Sequence, residues 1–140
     1  MREIRVRIET RLNNTEDLRK VVQAVSSIAS CGTPELIENE YGRVMVFEGF
    51  GKEFLSPLRR LLFEHRILSA ARKVLKNSRG GGIIRFCLNK QAAYSGQVSF
   101  CEEDGESPLG PLVIEVTTQD ADAFLDWLTP STGDNSSIVR

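Results

Sequence analysis

The residues in this chain best suited to chemistry are cations, and they are concentrated. Between Pro57 and Phe100 stand Arg59, Arg60, Arg66, Arg72, Lys73, Lys76, Arg79, Arg85 and Lys90, against a single carboxylate, Glu64. That segment carries +8 and the remainder of the 140 residues −9, so the net charge of −1 conceals a polarised chain. Such a chain can present a cationic surface to a polyanion despite its acidic overall balance. The competing expectation is a solvated helix whose charges are neutralised by acidic neighbours in the fold.

Other chemistries find less support. His65 is the only histidine and has no serine, cysteine or carboxylate pattern beside it to form a relay. Cys31, Cys87 and Cys101 are odd in number and form no C-x-x-C pair, which disfavours a zinc set. Reduced, buried thiols are expected; Cys87 and Cys101 could also face each other on paired strands, which leaves a disulfide open. Glu102-Glu103 and Asp120-Asp122 are expected to be solvated or capping acids. Ser78-Arg79-Gly80-Gly81-Gly82 could bring backbone N–H groups to a phosphate. It lacks a Lys-Ser/Thr and follows a helix where a phosphate loop precedes one, so a helix-to-strand connection is the better expectation. No catalytic residue, metal or cofactor is expected.

These residues need elements to hold them. Ile4, Val6 and Ile8 alternate with Arg5, Arg7 and Glu9, the pattern of a half-buried strand. Leu18, Val21, Val22, Val25 and Ile28 then recur at helical spacing after the turn and cap formers Asn13 to Asp17. Two β-rich runs, 35–38 and 43–48, read as a hairpin across Asn39-Glu40-Tyr41-Gly42. A long helix is predicted from near Glu53 or Ser56, with Pro57 in its first turn, to about Asn77. Strands follow at 83–88, 97–100 and 112–117, with a helical turn or tight loop over 89–96. A closing helix covers 120–128, and Glu102 to Pro111 reads as an exposed acidic loop. The order β-α-β-β-α-β-β-β-α predicts a single α+β domain over 1–130, its helices on one face of a largely antiparallel sheet, with a tail at 131–140. No apolar run reaches the roughly 18 residues of a membrane span, and no signal-peptide pattern opens the sequence, so a cytoplasmic protein is expected.

On the predicted long helix, at about 100° per residue, Phe63, Ile67, Leu68, Ala70, Ala71, Val74 and Leu75 share the inward half. Arg59, Arg66, Arg72, Lys73, Lys76 and Arg79 share the other half, with His65 and Ser69 among them. An ordinary solvated helix interleaves Glu with Lys or Arg at i, i+4; this one has only Glu64. The arrangement favours a surface for phosphates. Arg85, Lys90, Gln91 and Tyr94 would extend it, Tyr94 by stacking on an unpaired base unless its ring packs into the core.

Three stretches carry a resemblance: Arg66-Ile67-Leu68-Ser69-Ala70-Ala71-Arg72, Leu88-Asn89-Lys90-Gln91-Ala92-Ala93-Tyr94, and Glu106-Ser107-Pro108-Leu109-Gly110-Pro111. With Val98-Ser99-Phe100-Cys101 and Asp126-Trp127-Leu128, they resemble an archaeal family of uncharacterised proteins described as RNA-binding. That family's fold has been likened to double-stranded-RNA-binding domains and to the fifth large-subunit ribosomal protein. One departure stands out: Pro130 is followed by Ser131, where the resemblance implies a basic residue. The expectation is therefore a non-enzymatic module for structured RNA, using Arg59, Arg66, Arg72, Lys73, Lys76, Arg79, Arg85, Lys90, Gln91 and Tyr94. The alternative is a homodimer that sets the basic helix against the acidic 102–106 loop of a second copy.

Overall fold

The first strand shows why the sheet has one dry face. In β1 (Arg5–Leu12), Val6, Ile8, Thr10 and Leu12 are buried, while Arg5 and Arg11 on the alternate face are exposed. The computed structural model describes residues 3–103 and 108–130, and the predicted 131–140 tail lies outside them. After β1 come α1 (Leu18–Ser26), β2 (Glu35–Asn39), β3 (Gly42–Phe50), a 3-10 turn (Lys52–Leu55), α2 (Ser56–Glu64) and α3 (Leu68–Lys76). The chain continues through β4 (Arg79–Gly80), β5 (Ile83–Asn89), α4 (Lys90–Tyr94), β6 (Phe100–Cys101), β7 (Pro111–Thr117) and α5 (Ala121–Leu128).

The seven strands form one sheet in the order β2-β3-β1-β7-β5-β4, with β6 also paired to β5, and every pairing is antiparallel. This is the expected α+β domain. Register keeps the buried side chains together: Ile8 faces Phe47 on one side and Ile114 on the other, and Ile114 faces Phe86. Against that face pack Val21 and Val25 of α1, Leu58 and Leu62 of α2, Ala71 and Leu75 of α3, and Phe124 and Leu125 of α5. Each large aliphatic or aromatic group so buried contributes about 1.5–3 kcal/mol relative to exposure. The side chain of Phe54 lies over Gly49, where any Cβ would collide with the ring.

Three expectations are corrected. The long helix is broken: α2 ends at Glu64 and α3 begins at Leu68. Between them Arg66 adopts φ +58°. The Arg66 N–H donates to Phe63 O at 3.1 Å and the Ile67 N–H to Leu62 O at 3.1 Å. That pair of bonds is a Schellman helix end, built on arginine where glycine is usual. The break turns the wheel, so Phe63 points outward and Leu58 and Leu62 point in. The glycine run is likewise more ordered than a simple connection. Gly81 (φ +60°) and Gly82 (φ +80°) make the two-residue turn of the β4–β5 hairpin, a conformation only glycine adopts cheaply. The last of the short strands is displaced too, since β6 occupies Phe100–Cys101 and not 97–100.

Candidate nucleic-acid interface

The ten predicted contact residues separate into groups once their partners are seen. Lys90 is the clearest correction. Its side chain is fully buried on α4 and donates to Glu16 Oε1 at 2.8 Å and to the Arg11 carbonyl. It is therefore a core ammonium and offers nothing to a phosphate. Sequence position misleads here because Asn89 caps α4, accepting from the Ala92 N–H at 2.9 Å, and the cap turns Lys90 inward. Tyr94 donates its hydroxyl to the other oxygen of the same carboxylate, Glu16 Oε2, at 2.6 Å, while part of its ring stays exposed. Asn13 adds backbone and side-chain N–H donors to Glu16 Oε1. Burial pushes the Glu16 carboxyl up, but the bonds from Lys90, Tyr94 and Asn13 together outweigh it and hold the group below its ordinary value. Burial, opposed by Glu16, holds the Lys90 ammonium below its ordinary value, and burial followed by the Glu16 bond raises the Tyr94 phenol.

A second group of cations is spent on carboxylates. Arg85, on the helix-free face of the sheet, grips Glu103 with Nε at 3.0 Å and Nη2 at 2.6 Å and reaches Glu115 with Nη1. These bonds, Glu103 foremost, raise the guanidinium pKa and lower that of Glu103. Arg72 donates to Asp126 Oδ1 at 2.7 Å and to the Thr129 carbonyl at 2.8 Å. Arg79 pairs with Asp122, whose carboxyl is held below its ordinary value by that hydrogen bond and charge. The two aspartates belong to α5, so the closing helix neutralises one flank of α3. Because Glu103 is bound within its own chain, part of the predicted acidic loop is already occupied; residues 104–107 lie outside the described residues.

The third group keeps its charge facing water. Arg66, Lys73 and Lys76 are exposed and meet no carboxylate at salt-bridge distance among the described residues. Arg60 lies 4.0 Å from Glu64 across one helical turn, a pairing of small worth at the surface. Arg59 donates to the Trp127 carbonyl at 2.7 Å, with its guanidinium carbon 5.3 Å from the centroid of the indole ring. Gln91 is exposed on α4. Three features escaped sequence reasoning: Glu16 as the acceptor at the centre of a buried cluster, Trp127 as a platform for Arg59, and Phe63 as an exposed ring. Only the Asn13-x-x-Glu16 spacing, which resembles a capping box, hinted at the first.

Cys87 and Cys101 are opposite one another in the β5–β6 register, and both are free thiols. Burial, with smaller help from Glu103, pushes the Cys87 thiol up to about 11, and burial also raises Cys101. Both are therefore protonated at neutral pH and poor nucleophiles. Among the described residues no three His, Cys, Asp or Glu side chains gather to hold a metal ion, and no helix is long and apolar enough to cross a membrane.

A protein-family model described as RNA binding matches residues 5–119, most of this antiparallel α+β domain. The chain belongs to that archaeal family, whose relatives carry the name UPF0201 protein. The relative from Sulfurisphaera tokodaii is 39% identical over 125 residues, spanning 89% of this chain and 86% of its own. That from Pyrobaculum neutrophilum is 42% identical over 119 residues, spanning 84% and 83%. The crystal structure of the UPF0201 protein from Methanococcus jannaschii superposes with a TM-score of 0.76 at 29% identity, covering 90% of this chain and 99% of that one.

Proposed function

We propose that this chain is a non-enzymatic module that binds structured RNA through its phosphates, using the outward side of α2 and α3. One observation carries the reading: Arg66, Lys73 and Lys76 stay exposed without carboxylate partners among the described residues, inside a region matched by an RNA-binding family. Arg59 and Arg60 flank them on α2. Arg72, Arg79 and Arg85 are secondary contributors, since each must first exchange a carboxylate for a phosphate. Gln91 and the exposed part of the Tyr94 ring form a separate polar patch on α4. Contacts of this kind fix position and register without reading bases, so recognition is of duplex or stem-loop shape.

About three phosphates neutralised by the free cations predict a log–log salt slope near −3 for a stem-loop RNA. Fluorescence anisotropy across a salt series measures it, and a combined Arg66→Glu, Lys73→Glu, Lys76→Glu variant should lose most of the affinity and the slope. A wild-type slope near zero with several structured RNAs overturns the proposal.

A further inference from the structure

Beside these cations lies a groove that phosphate contacts alone leave unused. Ser56, Arg59, Arg60, Phe63, Leu68 and Pro130 line a cavity of about 330 Å³, at the small end of the roughly 300–1,000 Å³ typical of ligand sites. Phe63 forms an apolar wall and is 67% exposed. Arg59 and Arg60 are among the lining residues, and the backbone of Arg66, outside the lining, is tied to Phe63 by its N–H bond to the Phe63 carbonyl. Among the described residues the one carboxylate within salt-bridge distance of these arginines is Glu64, 4.0 Å from Arg60. An apolar ring surrounded by cations suits a ligand that is flat and apolar in the middle and anionic on both sides. A nucleotide within a strand has that character, its base offering a π-face and its neighbours offering phosphates. A second copy of this overall acidic chain would have to bring acidic residues to the same spot to satisfy the arginines.

We propose that the groove accepts one unpaired RNA base, stacked on Phe63, with Arg60 and Arg66 holding the flanking phosphates. This rests on the RNA-binding reading and narrows its ligand to a stem interrupted by a bulge or ending in a single-stranded overhang. Burial of Leu58 and Leu62 on the inward side of α2 is what leaves Phe63 facing out.

The test uses the full chain and two hairpin RNAs that differ only by one bulged 2-aminopurine. The bulged hairpin should bind about fivefold or more tighter, the lower end of what one stacked base is worth, and its fluorescence should be quenched on binding. Phe63→Ala, at a position that contributes little to the core, should reduce the bulged hairpin to the affinity of the perfect one without changing the salt slope. Phe63→Trp should restore the difference. Equal affinities for the two hairpins, unaffected by Phe63→Ala, overturn this inference while leaving phosphate binding intact. Absence of binding to either hairpin at low salt overturns both readings. A concentration-dependent dimer that Phe63→Ala dissolves assigns the groove to a second copy and overturns the base site.

Discussion

The side chain of Lys90 illustrates how much one partner decides. A lysine in a cation-rich stretch lies at 0% exposure because Glu16, itself 4% exposed, meets it with a second oxygen left over for Tyr94. Removing one member of such a pair leaves a buried charge uncompensated, which typically costs about 3–5 kcal/mol. Lys90→Met should lose that much in denaturant unfolding, while Gln91→Ala next door should change almost nothing. The pH dependence follows from the carboxyl. The Glu16 pKa is lower in the folded state than in the unfolded chain. Its stabilisation is therefore complete above the ordinary carboxylate range and is lost as the pH falls through the folded value. Glu16→Gln should be less stable at neutral pH and lose less stability on acidification, as followed by circular dichroism.

At the scale of elements, the junction of α2 and α3 joins a structural cost to a useful charge. A non-glycine residue in the left-handed region is strained by about 1–2 kcal/mol, partly offset in any exchange because glycine loses more chain entropy on folding. Arg66→Gly should thus stabilise the fold by about 0.5–1 kcal/mol in thermal or denaturant unfolding. The same variant should weaken binding to a stem-loop RNA. This junction also marks the limit of legibility. The strands 83–88 and 112–117 were readable from alternation and β-branched runs, as was the sheet's dry face. The helix end was not, because His65-Arg66-Ile67 contains no glycine, asparagine or proline, and the apolar periodicity continues on either side of it. Only the tertiary packing of Ile67 and Leu62 explains why the chain turns there.

Across the whole molecule, the sequence showed where cations are dense but not which would be neutralised, because the neutralising carboxylates Glu16, Glu103, Glu115, Asp122 and Asp126 all lie outside the cationic stretch. Asp122 and Asp126 hold Arg79 and Arg72 in ion pairs, and both lie beyond the stretch that the RNA-binding family model matches. Replacing both with asparagine removes the carboxylate partners of these two guanidinium groups and should steepen the salt slope by about two units. Thermal stability should change little, since exposed ion pairs contribute little to it.

The placement of β1 has a consequence for biosynthesis. It sits between β3 and β7, so its second neighbour arrives only with residues 111–117. A growing polypeptide can close the β1–β3 ladder early, yet the far edge of β1 stays unpaired until residues 111–117 have been made. Until then that edge is open to the matching strand of a neighbouring copy, and crowding of ribosomes on one message is the condition under which copies would exchange it.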